Sequence, residues 1–187
     1  MSSWNVVSLQ DVAATPWRNG GGVTRELAVW PSADNWTWRM SVAEVDQSGP
    51  FSIFEGIDRW FAVLEGAGVR LDVAGQSHSL TPSDAPLFFD GAAPVECHLL
   101  VGKTIDFNLM VRRSSASAHM QRVAGRFEKP LDATKIIAMY SRNTWANVQF
   151  GTENLHLPPA SVAWRQISIP TLVSLTEGDA LWMEISL

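Results

Sequence analysis

The stretch Trp36-Thr37-Trp38-Arg39-Met40-Ser41-Val42-Ala43-Glu44-Val45 decides the fold class. Successive side chains of a strand point to opposite faces, so this run sets Trp38, Met40 and Val42 on one face and Arg39 and Ser41 on the other. Asp106-Phe107-Asn108-Leu109-Met110-Val111-Arg112 repeats the scheme, with Phe107, Leu109 and Val111 against Asp106, Asn108, Met110 and Arg112. Further short runs rich in β-formers lie at 23–30, 60–64, 68–73, 95–101, 135–139, 162–169 and 180–185. Turn residues separate them, among them Ser48-Gly49-Pro50, Glu65-Gly66, Ala74-Gly75, Asp90-Gly91, Pro158-Pro159 and Glu177-Gly178-Asp179. No stretch of a dozen residues carries capped helical periodicity. Many short strands at near-regular spacing predict an all-β sandwich or barrel. The small, polar segment 114–125 reads as a connector between lobes 1–113 and 126–187. A faint echo between Leu80-Thr81-Pro82-Ser83-Asp84-Ala85 and Leu175-Thr176-Glu177-Gly178-Asp179-Ala180 agrees with two lobes.

Composition narrows the function. The 187 residues carry a net charge of −5 with 46% hydrophobic and 18% charged side chains, so the chain has apolar surface to bury. A nucleic-acid-binding domain would show a basic excess instead. The longest apolar runs, Trp60-Phe61-Ala62-Val63-Leu64 and Ile136-Ile137-Ala138-Met139-Tyr140, are too short for a membrane helix. The start, Met1-Ser2-Ser3-Trp4-Asn5, has no signal-peptide pattern, and the lone Cys97 fits a reducing compartment, so a cytoplasmic protein is expected. Eleven of the 14 basic residues are Arg, and nine Trp accompany one Tyr.

The arginines gather where charge for solubility has no place. Arg25, Arg39, Arg59 and Arg112 each fall in or beside a strand run, and a buried guanidinium must be paired or must hold an anion. Arginine is favoured where a planar fork grips a carboxylate or phosphate. Pairing with Glu26, Glu44, Asp58 and Asp106, bracing the barrel, is the structural alternative. In Pro16-Trp17-Arg18-Asn19-Gly20-Gly21-Gly22-Val23-Thr24-Arg25-Glu26-Leu27, three consecutive glycines read either as a hairpin or as a loop whose amides line an anion pocket. A strand follows them, so they are no dinucleotide fingerprint.

Catalytic and metal patterns are sparse. His78, His98, His119 and His156 show no ligand spacing, which leaves a metal only by assembly from distant strands. Cys97 and His98 are adjacent on a strand and face apart, so they form no dyad.

Several blocks together resemble the HutD/Ves family: the stretch 16–26, then Trp38-Arg39-Met40-Ser41-Val42-Ala43-Glu44-Val45, Gly49-Pro50-Phe51-Ser52, Gly56-Ile57-Asp58-Arg59, Leu64-Glu65-Gly66 and 106–113. Order and spacing agree from about Trp4 to Arg113, and the rest agrees in general pattern. Arg18 stands where the family commonly has Lys. The resemblance implies a bicupin, two small jelly-roll β-barrels in one chain, associated with bacterial histidine utilisation. It implies a metal-free protein without cofactor that binds a small anionic metabolite, such as formate, urocanate or a formylated or formimino amino acid, and modulates histidine catabolism. The pocket residues it implies are Asn19, Arg25, Arg39, Arg59, Asn108 and Arg112, supported by Gly20, Gly21, Gly22 and Phe51, with Glu44 and Asp58 orienting the arginine forks. One alternative is a cupin isomerase or hydrolase using Glu44, Asp58 or Asp106, although carboxylates beside Arg make poor bases at neutral pH. Another is an interaction module or homodimer packed through Trp30, Trp36, Trp145 or Trp164.

Overall fold

The computed structural model describes residues 3–187; Met1 and Ser2, at the start of the N-terminal reading, lie outside them. The described chain is strands and turns, with one 3-10 turn at Leu9–Asp11. Every strand expected from the sequence is present; Ile57–Glu65, Thr104–Arg112 and Lys135–Ser141 run longer than expected, Trp38–Val45 starts later, and Val95–Leu99 and Ser161–Gln166 end earlier. Among the described residues no helix is long and apolar enough to cross a membrane.

The chain divides into two compact units. One is Ala13–Ala116. The other is Ser117–Leu187 together with the N-terminal segment that ends at Val12. That assignment differs from lobes 1–113 and 126–187 in two ways. Asn5–Ser8 pairs with Ser161–Gln166, in the register Asn5↔Trp164, so the N-terminus belongs to the second unit. Ser117–Ala124, read as a connector, is a strand paired with Asp179–Ser186. Its sequence is mostly small and polar, and only Met120 and Val123 are buried, which leaves little pattern to detect.

In the Ala13–Ala116 unit, six strands form one antiparallel sheet in the order Thr15–Pro16, Gly22–Trp30, Trp38–Val45, Thr104–Arg112, Ile57–Glu65, Leu87–Asp90. A second sheet runs Gly49–Pro50, Val95–Leu99, Val69–Val73, Gln76–Leu80. Ala43, Val45, Phe61 and Val63 from the first meet Val69, Leu71, Val95 and Cys97 from the second in one core. The other face of the larger sheet carries Trp38, Met40, Val42, Phe107, Leu109 and Val111, all buried, as the period-2 reading requires.

The second unit repeats the plan. Its five-stranded sheet runs Asn5–Ser8, Ser161–Gln166, Lys135–Ser141, Asp179–Ser186, Ser117–Ala124, and its four-stranded sheet runs Phe127–Leu131, Thr171–Glu177, Ala146–Phe150, Glu153–Leu157. Ile137, Met139, Leu157, Val173, Leu175 and Trp182 join in its core. Burying six such side chains, at roughly 1.5–3 kcal/mol each, is what holds the two sheets face to face. None of the four sheets closes on itself.

Candidate anion-binding cavity

A cavity of about 770 Å³ opens on the inner face of the six-stranded sheet in the Ala13–Ala116 unit. That volume suits a small-molecule site. Strand register builds its floor. Met110 stands between Arg39 on one neighbouring strand and Arg59 on the other, and Asn108 stands between Ser41 and Phe61. Side chains of one face repeat every second residue, so Arg39 and Ser41, Asn108 and Met110, and Arg59 and Phe61 all look into the same space. The segment from Thr15 to Asn19 and the loop from Pro50 to Phe54 supply the walls.

Arg59 dominates the electrostatics. Its side chain is 5% exposed. Its Nη2 donates to Asn108 Oδ1 at 2.9 Å, and Nη1 makes a long contact of 3.4 Å with the Ser52 carbonyl. The guanidinium lies 5.3 Å from the Phe51 ring, 5.7 Å from Phe54 and 5.0 Å from Phe89. Among the described residues no carboxylate comes within ion-pair distance of it, and its buried Nε donates to nothing. Burial, and then the neighbouring charge of Arg39, lower its pKa to about 10. Arg59 is therefore still a cation at neutral pH, desolvated and without a counter-ion. Such a charge is costly unless something anionic joins it.

Arg39 adds a second positive group. Glu26 Oε2 lies 3.7 Å from its Nε, beyond hydrogen-bond reach, and that buried Nε has no acceptor. The guanidinium sits 5.7 Å from the Trp36 ring and 6.0 Å from Phe54. Phe54 thus lies near both cations. Arg18, exposed at the cavity lining, is a third.

Asn19, Phe51, Arg39, Arg59 and Asn108 are brought together; the other expected site residues fall elsewhere. Arg25 is on the opposite face of its strand, hydrogen-bonded to Glu44. Glu44 also has Lys103 at 3.9 Å, so it braces the back of the sheet instead of orienting cavity arginines. Asp58 binds Arg113 Nε at 2.7 Å and does not orient Arg59, because adjacent strand residues point apart. Arg112 donates to the Trp36 carbonyl at 3.1 Å and lies 5.6 Å from its ring, outside the cavity lining. The three glycines have separate reasons. Gly20 has φ of +71°, and a Cβ on Gly22 would stand 2.2 Å from the Glu44 carbonyl oxygen. Gly21 donates its amide to Asn19 Oδ1 at 3.0 Å, so that amide is spent on an Asx turn.

Phe54 and Phe89 were not singled out by sequence as neighbours of a cation. Phe54 lies in a loop, and Phe89 is on the short edge strand Leu87–Asp90, which has too few residues for a pattern. Ser41 was legible, since alternation puts it beside Arg39. Asp106 shares the inward face but does not line the cavity. It is fully buried, accepts a bond from Thr104 Oγ1 at 2.8 Å, and leaves Oδ1 unpaired. Burial pushes its pKa up to about 7. Burial first, and then the Asp106 charge, push the Cys97 thiol up to about 12. Among the described residues no three His, Cys, Asp or Glu side chains gather as a metal site.

Comparison with known proteins agrees with this architecture. An uncharacterised 21.2 kDa protein from the hutC 3′ region of Pseudomonas putida is 41% identical over 65% of each chain. Protein Ves of Cronobacter sakazakii is 33% identical over 91% of this chain and 92% of its own. The structure of HutD from Pseudomonas fluorescens SBW25 in its formate condition superposes with a TM-score of 0.86 at 28% identity, covering 98% of both chains. A cupin 2 conserved barrel domain protein from Leptotrichia buccalis shares the fold at a TM-score of 0.59 and 6% identity, over 98% of this chain and 96% of that one. The family model described as HutD matches residues 9–184, nearly the whole length, and the chain belongs to the HutD family.

Proposed function

We propose that this HutD-family chain is a metal-free bicupin that binds a small carboxylate metabolite between Arg39 and Arg59 and modulates histidine catabolism in the cytoplasm. One observation carries the reading: Arg59 is a buried cation with one hydrogen-bonded side-chain acceptor and no carboxylate partner. A bound carboxylate supplies the missing charge, and its two oxygens match the free donors of the guanidinium edge. The bicupin reading draws on the two units, each a pair of sheets around one core, and on the likeness to a cupin barrel-domain protein. The pathway reading draws on the relative from the hutC 3′ region. Binding is favoured over turnover because Glu44 and Asp58 are held by other arginines and Asp106 does not line the cavity.

Isothermal titration with formate, urocanate, formiminoglutamate and formylglutamate tests the proposal. At least one is expected to bind, with affinity falling tenfold or more in Arg59→Met. Absence of binding by all four removes it.

A further inference from the structure

Arg112 and Trp36 do not line the cavity, yet both are bound to what does. Trp36 and Thr37 lead into Trp38–Val45, the strand that carries Arg39. Three hydrogen bonds pin them. The Thr37 amide donates to the Trp30 carbonyl at 2.7 Å, the Arg112 amide donates to the Thr37 carbonyl at 2.8 Å, and Arg112 Nε donates to the Trp36 carbonyl at 3.1 Å. Only the last comes from a side chain. The residues before Trp36, from Pro31 to Asn35, are all exposed, so packing upstream does not fix it. Among the described residues no carboxylate comes within ion-pair distance of Arg112, whose guanidinium turns instead to the Trp36 ring, 5.6 Å from its centre.

The same ring lies 5.7 Å from the Arg39 guanidinium. Arg39 has no strong hold of its own. Glu26 stands off at 3.7 Å, the Arg39 Nε has no acceptor, and the Phe54 ring is 6.0 Å away. Register sets Arg39 and Arg59 on either side of Met110, where their like charges repel. With 23% of its side chain exposed, Arg39 has solvent to swing into. A long, flexible cation under that repulsion stays at the cavity only where something attracts it, and the indole is the best aromatic partner for a guanidinium.

Resting on the carboxylate-binding reading, we propose that Arg112 and Trp36 are positioning residues for the anion site: Arg112 fixes Trp36 through its carbonyl and its ring, and that ring keeps Arg39 beside Arg59 without either residue touching the ligand. A cation held in place before the ligand arrives loses less freedom on binding, so the anion binds more tightly. The chain of contacts runs from Arg112 to Trp36 to Arg39, and only its last member lines the cavity.

The test is isothermal titration of variants with formate, urocanate, formiminoglutamate and formylglutamate. For the tightest of the four, Arg112→Met and Trp36→Ala are each expected to lose fivefold or more in affinity, while Trp36→Phe, which keeps a ring for Arg39, stays within threefold of the wild type. Arg39→Met itself should weaken binding several-fold. In that background Arg112→Met and Trp36→Ala should each change affinity by less than twofold, because the residue they place is gone. This cancellation separates positioning from the loss of a nearby positive charge or a general loosening, both of which would persist without Arg39. Should Arg112→Met fail to fold, the neutral Trp36→Ala carries the same comparison. If Arg59→Met abolishes binding but Arg112→Met and Trp36→Ala bind like the wild type, or if their losses persist in the Arg39→Met background, positioning is refuted while the carboxylate reading stands. If none of the four binds the wild type, both readings fall.

Discussion

Arg59→Met separates an unpaired buried cation from a structural one. In the folded protein the guanidinium pKa is lowered from 12.5 to about 10, and each pKa unit corresponds to about 1.4 kcal/mol, so holding the cation there costs about 3 kcal/mol. The site returns part of this through the 2.9 Å bond to Asn108, worth about 1.5–3 kcal/mol for a charged donor, and through the rings of Phe51, Phe54 and Phe89. Methionine removes the charge, keeps much of the apolar volume and leaves Asn108 Oδ1 without its donor. The terms nearly cancel, so stability in urea at low salt should change by no more than about 2 kcal/mol in either direction. Breaking a buried ion pair costs about 3–5 kcal/mol instead. The variant should also lose ligand-dependent stabilisation, which for a wild type saturated at 100 times Kd is about 2.7 kcal/mol. A loss above about 3 kcal/mol without added anion, or equal stabilisation of both proteins by a carboxylate, would refute the unpaired-cation account.

Other consequences follow from the same geometry. Asp106 keeps its proton in the folded protein up to about pH 7, against 3.8 for a free aspartate carboxyl, so its contribution is fully present below pH 3.8 and is lost as pH rises through 7. Asp106→Asn should therefore gain on the wild type between pH 4 and 8, ending up to about 4 kcal/mol more stable by urea titration at pH 8; a pH-independent difference would contradict the buried acid. Gly20→Ala should cost about 1–2 kcal/mol for a left-handed backbone with open space around it, whereas Gly22→Ala, whose Cβ meets the Glu44 carbonyl at 2.2 Å, should cost at least about 3 kcal/mol; equal thermal melts for the two would contradict this. Cys97, 1% exposed and with its thiol pushed up to about 12, should react with a thiol reagent at pH 8 only as fast as the protein opens, and rapid labelling of the folded chain would show the core to be looser than described.

Legibility followed burial. Trp38–Val45 and Thr104–Arg112 were readable because one face is solidly apolar and the other alternates with polar side chains. Gln76–Leu80, Gln-Ser-His-Ser-Leu, was not, because an edge strand with mostly exposed side chains has no hydrophobic period to show. The cavity was partly readable for the same reason. Arg39, Ser41, Asn108 and Met110 share faces that alternation assigns. Arg25 looked equivalent to Arg39, yet it falls on the other face, where Glu44 takes it. Residue type alone does not distinguish an arginine that braces a sheet from one that lines a cavity.

The sequence by itself determined an all-β chain, strands with one polar and one apolar face, and an arginine excess carried on those strands. Its motif order also pointed to the family. These are local properties, set by side-chain alternation and turn residues within ten or so positions. Only the tertiary structure decided that Asn5–Ser8 joins the second unit, that Arg39 and Arg59 flank Met110, and that Arg59 lacks the carboxylate that Arg25 has. Those facts depend on which strands pair and in what register. Pairing between segments dozens of residues apart is settled by the closing of the core, and no short stretch of the chain records it.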